Sequence, residues 1–290
     1  MSELENESEE IVKPKSNKWK RSIVGGVLVA TMLFRFAGRL EDMVTSVIRG
    51  PEAISVGMTA PMPKSVHFAE RMLPVRHIVV HSFSLPTDKM IARLNELGLS
   101  THYLIDTKGK VTKLVPEDKV AWHAGPSFWR GTVGLNATSI GIELQNNTLG
   151  QTPFTNEQLT AFQILARDLI YRYRIDPKNI VAHSDIAPAR KVDVGHAFPW
   201  QKMAKMGIGV WPSGKMSQNM SQNIGELLRQ IGYDTTDEDK ALLAFERRFM
   251  PELIQKDPHI ASLEENLHHQ KPVRNATVIR RLNEVAEAYK

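Results

Sequence analysis

Two histidines and one aspartate stand where a metal could be gripped: His81, His183 and Asp193. Each lies at the end of an expected strand or in the loop that follows one, where a rigid backbone delivers a side chain to the open edge of a sheet. Two imidazoles and one carboxylate leave the fourth corner of a tetrahedral zinc site vacant, the pattern of a catalytic centre rather than a structural one. A single zinc ion in such a site would bring a bound water much closer to deprotonation at neutral pH. The 290-residue chain has no cysteine, so disulfides, thiolate nucleophiles and cysteine-held zinc are excluded, and any metal must sit on His, Asp or Glu. No Gly-x-Ser-x-Gly elbow is present to mark a serine hydrolase. Spacing alone leaves other readings open: His81 as a polar residue ending a strand, and Asp193 as a loop carboxylate in an Asx turn.

The elements that must position these residues can be read from periodicity. A β-branched strand is expected at 77–81, and a helix opened by Pro86-Thr87-Asp88 carries Met90, Ile91, Leu94 and Leu97 on one face until Gly98 ends it. Residues 101–105 and 111–115 alternate around a Lys108-Gly109 turn, which predicts a hairpin. Further strands are expected at 139–144 and 179–183. Between them, Thr155 and Gln158 form a capping box for a long helix with Leu159, Phe162, Ala166, Leu169 and Tyr173 toward the core. The pattern predicts an α/β (α+β) fold with a mixed central sheet flanked by helices. After a polar linker at 213–223, residues 224–290 read as a small all-α module, with helices around 224–231, 239–249 and 276–288.

The N-terminal part differs. Residues 1–21 run from acidic to basic without an apolar pattern and read as a disordered tail. The apolar run at 22–34 has a basic flank, and helical spacing continues to 49 without an A-x-A cleavage site. It reads as an uncleaved signal anchor that leaves the bulk of the chain in the periplasm. A cleaved signal and an amphipathic helix of a cytosolic protein are the alternatives. Residues 50–75 read as a linker. The net charge of +5 and pI near 9.3 suit an anionic partner, but the basic residues are scattered and no nucleic-acid motif is present.

Five strings occur in order: VVHS, THYLID, VAWHAG, TSIGIEL and AHSDIAPARKVDVGHAFPW. Together they resemble the type 2 N-acetylmuramoyl-L-alanine amidases, zinc enzymes that share a fold with peptidoglycan recognition proteins, and within them the Gram-negative envelope branch. The resemblance spans residues 76–212 as the catalytic domain. It implies zinc on His81, His183 and Asp193, Glu143 as the base that activates water, and Lys191 as the oxyanion stabiliser. Peptidoglycan or muropeptides are the implied substrate, cut between the lactyl group of N-acetylmuramic acid and L-alanine. The residues at 224–290 look like the diverged peptidoglycan-binding module of the same branch. Trp122 and His123 are expected to line the sugar or peptide groove, with Trp122 in the core as the alternative. Tyr103 is expected either as a lid on the cleft or as a core strand residue, and Arg190 either on stem-peptide carboxylates or in a surface pair. His123 as a fourth ligand is rejected because it would close the site. The chain departs from the pattern in three places: no lipid-attachment cysteine, Val194 where proline is common, and Gln145 where an acidic residue is common.

Overall fold

The computed structural model describes residues 67–215, 220–254 and 270–290. The expected tail, the signal or anchor helix and most of the expected linker at 50–75 lie outside these residues. Among the described residues, no helix is long and apolar enough to cross a membrane.

Among the described residues nine strands occur: β1 Phe68–Glu70, β2 His77–Phe83, β3 Tyr103–Ile105, β4 Val111–Lys113, β5 Lys119–Ala121, β6 Phe128–Trp129, β7 Thr132–Val133, β8 Ser139–Gln145 and β9 Ile180–Ala182. Five of them make a mixed sheet in the order β4-β3-β8-β2-β9, antiparallel only between β3 and β4. The predicted hairpin is therefore β3–β4. Its turn is held by the Asp106 carboxylate, which accepts from the amides of Lys108 and Lys110 at 2.9 Å each, with Gly109 at φ +79°.

The central strands β2 and β8 are buried along nearly their whole length, as parallel strands covered on both sides must be. One face, carrying Ile78, Val80, Ile140, Ile142 and Leu144, packs on the helix Asn156–Tyr173 through Leu159, Phe162, Ala166 and Leu169. On the other face Val79 and Val181 share a cluster with Trp129, Leu135 and the C-terminal helices Ile224–Ile231, Glu238–Phe249 and Ala276–Ala288. At the far end of this face Phe83 and Leu104 pack against Leu94 of the helix Thr87–Glu96. Leu97, expected on that apolar face, falls past the last turn as the C-cap and is 51% exposed.

Two other differences have local causes. Thr155 caps its helix by accepting from the Gln158 amide, but the Gln158 side chain does not return the bond. It donates instead to the carbonyls of Ile105 and Gln145, tying the helix to the sheet. The end of the expected linker carries β1, paired with β5 about fifty residues away, and Arg71 donates to the carbonyls of Glu117, Lys119, Ala137 and Ser139. Pairing at that separation leaves no local signal in three residues of strand.

Glu117 is a buried hub. It receives a two-pronged contact from Arg172 at 2.6 and 3.0 Å, the Tyr173 hydroxyl at 2.6 Å and the Tyr103 hydroxyl. Burial alone would raise its pKa, but these donors outweigh burial and hold it at about 2, below the ordinary 4.5. A depressed carboxylate stabilises the fold fully above its unfolded pKa and loses that contribution as pH falls through 4.5 toward 2. Glu117→Gln is expected to cost about 1–3 kcal/mol near neutral pH. Thermal melts should show the gap to the parent protein narrowing below pH 4.5.

Candidate metal centre

Side chains alternate along a strand, and here the alternation selects one face for chemistry. Ile78 and Val80 point to the long helix, so Val79 and His81 point the other way. Register then sets the partner: His81 lies directly across from Glu143 on parallel β8. On the opposite neighbour, Val80 pairs with Ala182 at the end of β9, and the next residue, His183, begins a one-turn helix, His183–Ile186. The strand expected to run through His183 thus ends one residue earlier. Asp193 arrives from the loop beyond, where buried Val192 and Val194 flank it and its carbonyl accepts from the Ser184 amide at 2.7 Å.

The result is a tight triangle. The Nδ1 atoms of His81 and His183 are 3.0 Å apart, and Asp193 Oδ2 lies 3.3 and 3.2 Å from them. Ligands of a tetrahedral zinc at ordinary bond lengths stand about 3.3 Å from one another, so the spacing fits. The donor chemistry fits as well. His183 Nε2 faces the Ala124 carbonyl at 3.1 Å, which can only accept, so its proton sits on Nε2 and a lone pair faces the triangle. A lone pair and a carboxylate oxygen at hydrogen-bond distance repel each other until a proton or a metal ion lies between them. Burial, and then the charge of His183, lower the His81 pKa to about 4. Burial disfavours the Asp193 anion, but His183 and His81 outweigh it and hold the carboxyl well below the usual range. A neutral imidazole and an ionised carboxylate are the forms that bind a divalent cation. His81, His183 and Asp193 are the one such group of metal-ligating side chains among the described residues.

Glu143 and Lys191 border this triangle. Glu143 Oε1 is 3.9 Å from His81 Nδ1, while Oε2 is buried without a hydrogen-bond partner. Burial first, then the Asp193 charge, push the Glu143 pKa well up against the opposing charge of Lys191. The triangle, Glu143 and Lys191 line one cleft of roughly 180 Å³, whose apolar wall is Met90, Leu94, Leu99 and Trp122. Trp122 is 38% exposed there and is not a core residue.

The remaining expected residues are placed elsewhere. Tyr103 pairs in register with Ile142, hence on the long-helix face, and its hydroxyl is spent on buried Glu117. Of the two roles open to it, the core role is the one its position supports. Arg190 donates to the Ala124 and Pro126 carbonyls at 2.9 and 2.7 Å, bracing the loop behind His183 rather than reaching into the cleft. His123 borders the cleft, but its Nδ1 is 3.0 Å from His81 Nε2 and its Nε2 is 3.1 Å from Ser139 Oγ. Both ring nitrogens are engaged within the protein, and neither is available to a ligand. Its ring packs so closely on Gly141 that a Cβ there would stand 2.6 Å from His123 Cγ. That close approach explains the glycine inside a central strand. Sequence reasoning missed Asn136, whose side-chain oxygen accepts from the amides of His123 and Ala124, and the Ala124 carbonyl itself. A backbone oxygen carries no residue-type signal.

Known proteins resemble this chain in sequence and in fold. Residues 71–196 match the family model described as N-acetylmuramoyl-L-alanine amidase. The N-acetylmuramoyl-L-alanine amidase AmiD of Escherichia coli K12 is 38% identical over a 210-residue alignment that covers 62% of this chain and 76% of the relative. The 1,6-anhydro-N-acetylmuramyl-L-alanine amidase AmpD of Enterobacter cloacae is 38% identical over 149 residues, 44% of this chain and 79% of the relative. Among solved structures, E. coli AmiD with anhydro-N-acetylmuramic acid-L-Ala-D-gamma-Glu-L-Lys superposes with a TM-score of 0.60 at 31% identity, covering 77% of this chain and 96% of that one. AmpDh3 of Pseudomonas aeruginosa gives 0.58 at 26%, covering 80% and 97%.

The position of Tyr103 carries a test. Tyr103→Phe should lower stability by about 1 kcal/mol and leave hydrolytic turnover unchanged. A melting curve and a rate assay on the same preparation check both. With the fold and the extent of the sequence likeness in agreement, the chain belongs to the type 2 N-acetylmuramoyl-L-alanine amidases, hydrolases of an amide bond.

Proposed function

We propose that this chain hydrolyses the amide between the lactyl group of N-acetylmuramic acid and L-alanine in peptidoglycan or its muropeptide fragments, with one zinc ion held by His81, His183 and Asp193. The observation that carries the reading is the triangle of acceptor atoms beside a buried, unpartnered Glu143 oxygen. Zinc bound there supplies Lewis acidity and an acidified water. Glu143, with its pKa raised by burial, takes one proton from the attacking water as the new C–O bond forms. It then delivers that proton to the L-alanine nitrogen as the C–N bond breaks; the second water proton leaves as the new lactyl carboxyl ionises, giving a lactyl carboxylate and a free stem peptide. Lys191, on the same cleft, places an ammonium where the carbonyl oxygen gains negative charge. The apolar wall around Trp122 suits the face of a pyranose ring or the lactyl methyl.

The proposed setting is the bacterial periplasm, with residues 22–49 as anchor or signal and residues 224–290 as a peptidoglycan-binding-like module. AmiD and AmpD relatives, whose names specify muramyl-L-alanine bonds, support the substrate class.

Purified full-length chain should release free peptide from muropeptides, and a chelator should abolish the release. Retention of muropeptide without cleavage would instead identify a receptor. Glu143→Ala is expected to keep one zinc per chain while losing about 10²–10⁴-fold in kcat; full activity removes the glutamate from the mechanism. His183→Ala is expected to lose the ion by elemental analysis, and unchanged metal content refutes the ligand assignment.

A further inference from the structure

We propose that His123, oriented by Ser139, is a positioning residue that holds the His81 proton on Nε2 and so keeps Nδ1 open for the metal. This rests on the zinc reading above and assigns a role to a hydrogen-bond chain outside the ligand set.

The direction of that chain follows from its last member. Ser139 Oγ lies 2.6 Å from the Leu135 carbonyl, which can only accept, so the hydroxyl proton is spent there. Toward His123 Nε2, at 3.1 Å, Ser139 can then only accept, which places the His123 proton on Nε2. A neutral imidazole has one N–H, so His123 Nδ1 presents a lone pair to His81 Nε2, 3.0 Å away. His81 must donate across that contact, and its own Nδ1 becomes the lone pair directed at His183 and Asp193. Reversing the chain would put a proton on His81 Nδ1, in the position the metal needs.

The frame around the chain is rigid. The Gly141 backbone abuts one side of the His123 ring, and Asn136 holds the His123 amide at 3.0 Å. The next residue, Ala124, supplies the carbonyl that fixes the proton of His183. One loop therefore sets the tautomer of both imidazole ligands, from successive residues. Metal sites depend on such outer partners, and their loss commonly costs 10–100-fold in affinity.

The test uses the full chain with ¹⁵N-labelled histidine. In the metal-free parent, imidazole NMR should show the His81 proton on Nε2. Ser139→Ala and His123→Leu should mix the two tautomers and weaken zinc binding about 10–100-fold in chelator competition. His123→Asn, which keeps an acceptor at the Nδ1 position, should restore affinity close to the parent's. The proposal is overturned if the parent carries the proton on Nδ1. It is equally overturned if Ser139→Ala and His123→Leu bind zinc as tightly as the parent, or lose zinc with the His81 tautomer unchanged, since loosened packing would do that. A parent chain that binds no zinc sinks the metal reading and this inference together; failure of the variants alone sinks only the inference.

Discussion

Three acceptor atoms are held within 3.3 Å of one another at the end of a sheet. Such a cluster is repulsive unless a proton or a cation joins it, so the surrounding structure has to hold the three side chains against their own electrostatics. The parallel register of β2 with β8 and β9 does most of this. It brings His81, Glu143 and His183 to one level, and strands tolerate little sliding because a shift of one residue would turn every core side chain outward. The carbonyl of Asp193 is then bonded to the amide of Ser184, so the third ligand is tied to the residue after the second.

The C-terminal helices reinforce the same place. Asp185, two residues beyond His183, is fully buried and accepts from the Ala182 amide at 2.8 Å and the Tyr233 hydroxyl at 2.9 Å, and it pairs with Arg248. Tyr233 and Arg248 belong to the C-terminal segment, whose helices share one apolar cluster with Val79, Val181 and Ile186. A buried carboxylate is tolerated only with such partners. Here they fasten the single helical turn that carries His183, so the C-terminal helices are part of the scaffold behind the triangle.

The cleft divides its labour by side. One wall is apolar, from Met90, Leu94, Leu99 and Trp122; the floor holds the ionisable groups. Burial sets the charge states there. It drives His81 and His123 toward neutrality, the form in which an imidazole can offer a lone pair, and it raises the pKa of Glu143. The same sheet thus gives one face to packing and the other to chemistry, because alternate side chains on a strand point in opposite directions.

Much of this was legible in the sequence. Strands rich in β-branched residues, the Lys108-Gly109 turn, the Thr155 cap and the three C-terminal helices are local signals, and each element forms close to its expected place. The triangle of His81, His183 and Asp193 was visible through motif strings that surround each residue. The second layer was not. Whether Tyr103 or its neighbours faced the cleft depended on the pairing of Leu104 with Glu143, and a three-residue strand does not declare its register. His123 borders the cleft as expected, but its partners, Ser139 on β8 and His81 on β2, left no local signal. Residue type and spacing left several readings open, and it was the motif strings that singled out His81, His183 and Asp193 as candidate ligands. Which nitrogen His81 and His183 each turn toward Asp193 was decided only by tertiary structure, because a proton's position is set by the acceptor it meets in space.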